Sequence, residues 1–470
     1  MKVTIDNRPI FLLFLLRYYK FFLLIAIFSL FIFLLNFEVN NLSKEGYRII
    51  LVFLLTAILW STNLIPTAIT SLLVLVLIPA LSILPAKKTF SLFGNEPLFF
   101  ILSAFIISSA TEKSGLSKRI TLLILSKATR NAKKLAFLIY ITGLLMSFFM
   151  PEHAVAVFLF PIVMGIAEVL KLEKKKSNFG KLLFISLAYG TIIGGIATFL
   201  GGARNALAVG LLEEIWGIKI SFIDWLKYSL PVVIPLSIIG FIIIFKIFKP
   251  EPIDIEIATK KIKRELETLP PFTFTELIAL LIILITICGW ILIGHKGIGF
   301  AGVSIISAVL FFIFRVIEWQ DVEKNINWSA FFMYGGAITL GTVFAQTDAG
   351  TFFINKFGII KTDIIIYALI VGSVAILITE FISNATVVAL LLPIILKSGI
   401  NLDTDLKILT ASIALMSGLA FMLPVGTPSH LICYSSGFYS IKDSIKAGFL
   451  LNILSLISLF VAVKFIWVRL

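Results

Sequence analysis

The chain has 470 residues, 59% of them hydrophobic and 14% charged, with a formal net charge of +14. A mean hydropathy of +1.07 excludes a soluble domain and points to a polytopic membrane protein. The Lys and Arg residues cluster in short loops, where orientation in a bilayer accounts for them, so the positive charge implies no nucleic-acid partner.

In chain order, an apolar run begins at Pro9, meets the basic and aromatic cluster Arg17-Tyr18-Tyr19-Lys20, and resumes over Phe21–Phe37. Asn36-Phe37-Glu38 offers no small-residue cleavage site. Residues 1–40 are therefore expected to hold a cytoplasmic N-terminus and a retained first transmembrane helix at Phe21–Phe37, with the basic and aromatic cluster before it at the cytoplasmic interface. Further apolar segments follow at 49–62, 64–84, 97–125, 135–169, 181–212, 229–248, 274–293, 298–316, 328–346, 363–398, 407–436 and 446–468. The segments at 135–169 and 363–398 exceed one span and carry polar residues midway. Read as re-entrant hairpins, they leave about eleven transmembrane helices. Cys288 and Cys433 both lie in apolar runs and give no disulfide framework.

Loop charge sets the topology. Lys127, Arg130, Lys133 and Lys134 precede the first hairpin, and Lys171 to Lys176 with Lys181 follow it. Both loops read as cytoplasmic, so that hairpin enters and leaves on one side. Lys260, Lys261, Lys263 and Arg264 make the linker at 249–273 cytoplasmic as well. The loops at 213–228 and 348–363 read as external. Residues 41–248 then form a first repeat and residues 274–470 a second, of opposite orientation.

The sequence repeats itself accordingly. Ser147–Pro161 lies over Thr379–Pro393 when the two prolines are aligned, and Thr111–Gly115 over Gln346–Gly350. Gly-rich breaks follow each hairpin, at Gly194–Asn205 and Ser417–His430. Gly and Pro there let a helix unwind and turn carbonyls toward a cavity. Ser383-Asn384 is a poor helix interior and a good N-cap, so it should start the second arm of its hairpin. Exposed N–H groups and the positive dipole end would face something negative at that point. Inverted repeats with broken helices are the pattern of a secondary transporter.

At these residues the chain resembles the divalent anion/sodium symporter family of the ion-transporter superfamily. The resemblance runs from about Trp60 onward and includes Trp60–Pro66, Phe421–Pro428, Tyr434–Gly437 and Ser383-Asn384-Ala385. It implies an all-α fold, carriage of a dicarboxylate, citrate or sulfate, and Na⁺ as coupling ion, with H⁺ as a further candidate. It also implies a multi-pass protein of the plasma (inner) membrane, a homodimer, and movement of the site across the bilayer as a body. Carried over, one cation site uses Thr379, Asn384 and the carbonyls of Ile382 and Gly426. The anion is then held by Ser383, Asn384, Ala385, Thr427 and Pro428. The corresponding first site uses Ser147, Pro151, Glu152 and Gly201. A cation/proton antiporter or an oxyanion efflux permease of the same superfamily is the alternative.

The first half departs from the family pattern. Its tip reads Pro151-Glu152-His153, and its break reads Gly201 to Asn205 with Arg204 inside. Ionisable residues at this depth are functional candidates. Three readings stand for Glu152, His153 and Arg204: a structural ion pair, a proton carrier, or direct contact with the anion. No His-Glu-x-x-His or His-x-x-Glu-His zinc motif is present, so an intramembrane enzyme is not expected.

Overall fold

The computed structural model describes residues 10–293, 297–352, 363–397 and 403–470. Among the described residues the chain is helical, with no strand. A helix satisfies its own backbone N–H and C=O groups, which a bilayer core demands. Eight of these helices are long and apolar enough to cross a membrane, and shorter apolar helices of 10–17 residues accompany them.

The first helix begins earlier than the span expected at Phe21–Phe37. One helix runs from Ile10 to Leu34, because Arg, Tyr and Lys are tolerated in a helix interior and no Gly or Pro interrupts it. Pro9 lies outside the described residues, as does most of the external loop expected at 348–363. Tyr47 Oη donates to Leu34 O at 2.9 Å and ties this helix to the next.

Helix starts are written as caps. Ser43, Asn95, Ser221, Thr273 and Ser440 each accept a bond from a first-turn N–H. At Ser221, Thr273 and Ser440 an acid three residues on bonds back and completes a capping box. The linker is not extended throughout. Glu256–Glu267 forms a helix that lies against Leu116–Leu125 and Glu152–Val169, held in part by Arg130 to Glu256 at 2.5 Å.

Two helix pairs correspond to the expected hairpins. Ala132–Met146 and Glu152–Val169 are joined by a bend at 147–151. Ile364–Thr379 and Asn384–Leu396 are joined by one at 380–383. After the first, Asn178–Gly195 ends, the chain unwinds, and Ala203–Trp216 begins. After the second, Asp403–Ser417 ends, and Pro428–Tyr434 begins beyond another unwound stretch.

The halves pack in a crossed manner. Each hairpin's first arm lies along its own half's broken helix, 132–146 on 178–195 and 364–379 on 403–417. Each resumed helix instead lies against the other half's second arm, 203–216 on 384–396 and 428–434 on 152–169. The unwound glycines repeat the equivalence in detail. Gly201 is pressed against the Ser147 carbonyl as Gly426 is against the Thr379 carbonyl, and a Cβ at either would collide with it.

Candidate binding cavity

The second tip is built by its cap. Ser383 has the extended backbone of an N-cap, and its Oγ accepts from Thr386 N at 3.4 Å. Asn384 opens the second arm and is nearly buried. Its side chain lies among oxygens. With the amide nitrogen inward it donates to Gly426 O at 2.8 Å, Thr379 Oγ1 at 2.8 Å and Ser417 O at 3.2 Å. With the amide oxygen inward, that oxygen and the other three converge without a donor of Asn384 between them. Thr379 Oγ1 also donates to Ser417 O at 2.7 Å. Neutral oxygens from a hairpin and an unwound helix are the ligands that a small hard cation takes. Ile382 lies in the turn between the arms, its N–H bonded to Ile378 O at 3.2 Å.

The unwound stretch behind this tip is held by a carboxylate. Glu380, fully buried, accepts the N–H groups of Phe421 at 3.0 Å, Met422 at 3.0 Å and Leu423 at 2.7 Å, and Asn452 Nδ2 at 2.8 Å. A helix that unwinds frees such groups, and a charged acceptor satisfies several at once. Thr427 then caps the resumed helix, accepting from His430 N at 3.3 Å.

The first tip has a different chemistry. Pro151 stands at the N-cap with no side-chain bond. The Glu152 N–H donates to Gly201 O at 2.9 Å. Arg204 Nη2 donates to Glu152 Oε2 at 3.1 Å, with both side chains nearly buried. The unwound stretch is pinned by Thr198 Oγ1 to Phe148 O at 2.6 Å and by Asn205 Nδ2 to Gly195 O at 3.0 Å and Thr198 O at 2.7 Å.

Both tips open onto one cavity of about 270 Å³. Glu152, His153, Arg204, Ser383, Asn384, Ala385, Pro151, Gly201 and Pro428 line it. Thr379, Gly426 and Thr427 are not on its wall but lie directly behind the second tip, and Ser147 sits in the bend before the first. His430 is turned into the protein, with Nε2 at 2.7 Å from Ser444 Oγ. Sequence reasoning missed the opposite wall: Thr67, Asn327, Ser329 and Tyr334. Thr67 Oγ1 and Ser329 Oγ share a hydrogen bond of 3.0 Å, and Asn327 Oδ1 accepts from Ala330 N at 3.0 Å. The signal for them was present as helix starts, Thr67 following Pro66 and Asn327 preceding a long apolar run.

The lining follows a simple rule. Thr67, Glu152 and His153, Ala203 and Arg204, Ser329 and Ala330, and Asn384 and Ala385 are the first-turn residues of five helices, each 13 to 19 residues long. First-turn N–H groups lack intrahelical partners, and the helix dipole is positive at that end. Convergence of several such ends makes a chamber suited to negative charge.

The family profile described as the sodium:sulfate symporter transmembrane region matches residues 16–470. A sodium-dependent dicarboxylate transporter, SdcS, of Staphylococcus saprophyticus is 27% identical over 460 residues, covering 92% of this chain and 88% of that one. An uncharacterized transporter of Methanocaldococcus jannaschii, MJ0672, is 28% identical over 418 residues, covering 87% and 91%. Among solved structures, MtrF of Neisseria gonorrhoeae, described in terms of antimetabolite efflux pumps, aligns at a TM-score of 0.52 with 13% identity, covering 80% of this chain and 82% of its own. The YdaH transporter of Alcanivorax borkumensis aligns at 0.50 with 13% identity, covering 80% and 86%. Those two likenesses concern the fold.

Proposed function

This chain belongs to the sodium:sulfate symporter family, and we propose that its cavity carries a small divalent anion, foremost a dicarboxylate, inward with Na⁺. It is an integral, multi-pass membrane transporter and not an enzyme. The observation that supports an anion is the meeting of five helix N-termini and the Arg204 guanidinium around one chamber. Partial positive charge fixed in the backbone needs no reorganisation to receive an oxyanion. The Thr379, Asn384, Ser417 and Gly426 oxygens beside it support Na⁺ as the coupled ion. A cation bound there adds a full charge next to the anion, so each favours binding of the other.

On this reading Ser383, Asn384, Ala385 and Pro428 contact the anion from the second tip, and His153 and Arg204 from the first, with Glu152 paired to Arg204 beside them. The crossed packing makes the hairpins and broken helices a natural moving unit, with the remaining helices and a second copy of the chain as its frame. The test is uptake of labelled succinate, citrate and sulfate into proteoliposomes under an inward Na⁺ gradient, with K⁺ and a pH gradient as separate arms. Na⁺-driven accumulation of one of the three is the expected result. Flux driven only by a pH gradient, or only outward, would instead support the antiporter or efflux reading.

A further inference from the structure

Among the described residues that line the cavity, only Glu152 and Arg204 carry a formal charge. They are 3% and 4% exposed and 3.1 Å apart. Both halves make room for them. Gly195 lies against the Glu152 carboxylate and Gly418 against the Arg204 guanidinium, and a Cβ at either glycine would meet those charged groups. The pair therefore spans the centre, from the first tip to the unwound stretch of the second half. Arg204 also keeps donors in hand, since its buried Nε has no partner. A guanidinium offers a planar fork that fits carboxylate or sulfate.

An anion entering this chamber finds one formal positive charge, already taken by a carboxylate, so the two compete for it. In the empty chamber an unpaired Arg204 would be a bare charge inside the membrane, which is strongly unfavourable. A carrier that must hold an anion in order to reorient can only exchange one anion for another. Net accumulation requires the empty form to cross as well.

We propose that Glu152 is an internal counter-anion: it neutralises Arg204 while the cavity is empty, yields Arg204 to the substrate on binding, and so lets the empty carrier return. The idea rests on the reading of the cavity as an anion site.

The experiment uses the full-length protein in proteoliposomes and whichever of labelled succinate, citrate or sulfate the wild type carries. Net uptake is measured into vesicles free of internal anion, and exchange into vesicles preloaded with it. Wild type should do both. Glu152→Gln should keep exchange within about threefold while net uptake falls about a hundredfold, the factor set by a lone charge in the membrane. Unchanged net uptake by Glu152→Gln overturns the proposal. So does loss of both activities in a variant whose thermal melt shows it folded. The pair variant Glu152→Gln with Arg204→Gln leaves no lone charge, so it folds on this view even if the single variant does not. It should regain net uptake with a KM raised about tenfold by loss of the guanidinium. An unchanged KM in the pair variant overturns the proposal. If wild type carries none of the three anions by either route, the transport reading fails and this inference with it. If wild type transports and Glu152→Gln still fills empty vesicles, this inference alone fails.

Discussion

Thr379 Oγ1 and the Asn384 side-chain amide meet at 2.8 Å across the turn of the second hairpin, one at the end of the first arm and the other at the start of the second. Under the proposed function these few atoms would serve both the cation and the anion. Asn384→Ala should therefore abolish Na⁺-driven uptake. The fold should lose no more than about 2 kcal/mol, the range for removing one buried hydrogen-bonding group. Thr379→Val keeps the shape and removes the oxygen, so it should raise the half-saturating Na⁺ concentration about tenfold, equivalent to one lost ligand interaction. Full transport by Asn384→Ala would take this tip out of the site.

Glu380 is predicted to be a positioning residue. Its carboxylate satisfies the N–H groups of Phe421, Met422 and Leu423 in the unwound stretch, and it does not line the cavity. Glu380→Ala leaves those donors and Asn452 unsatisfied, at a cost of about 3 kcal/mol or more. A thermal melt in detergent should drop clearly. Glu380→Gln keeps one acceptor and should fall between, with the half-saturating Na⁺ concentration raised because Gly426 O is no longer held in place. An unchanged melt in both variants would contradict this role.

Gly418→Ala tests the central ion pair without touching a charge. A Cβ there would overlap the Arg204 guanidinium, and Gly195→Ala would do the same to the Glu152 carboxylate. Gly418→Ala should push the guanidinium aside and raise the anion KM about tenfold or more, since a shift of a few tenths of an ångström weakens directed bonds. Wild-type kinetics in Gly418→Ala would mean that the guanidinium does not need its present position.

Much of this architecture could be read before any coordinates. The hairpins were legible because Ser383-Asn384 and Pro151 contradict the helix that an apolar run would otherwise form. Gly201 and Gly426 marked the unwinding points, since close approach of a carbonyl leaves no space for a side chain. The start of the first helix was not legible at Arg17–Lys20, because charge and aromaticity mark a membrane interface but do not stop a helix. Ser417 escaped notice beside Thr379 and Asn384 because it contributes a carbonyl, which every residue has. Thr67, Asn327 and Ser329 escaped because their place on the cavity depends on how distant helices pack, which no local pattern encodes.

Outside the membrane-spanning segments, Glu251 offers a pH test. It accepts from Phe179 N at 3.0 Å and from the Ser177 hydroxyl, at the start of the helix that later unwinds. Partial burial pushes its carboxyl upward. The Ser177 hydroxyl and the local backbone N–H groups outweigh that and hold it below the usual carboxylate range. A depressed value gives stability that is present above the unfolded value of about 4.3 and is lost as pH falls through the folded one. The melting temperature of Glu251→Gln should therefore be lower than wild type at neutral pH, and the gap should close on acidification below about pH 4. A gap that stays constant would assign the loss to something other than the charge.

The crossed packing has a consequence for how the protein is made. Helix 203–216 packs on residues 384–396 as well as on 96–113 of its own half, and helix 152–169 packs on residues 428–434 as well as on 178–195. During synthesis the first half must therefore remain in the membrane with two docking faces open until nearly the whole chain has emerged. The chamber, lined from both halves, is complete only once residues up to Pro428 are in place.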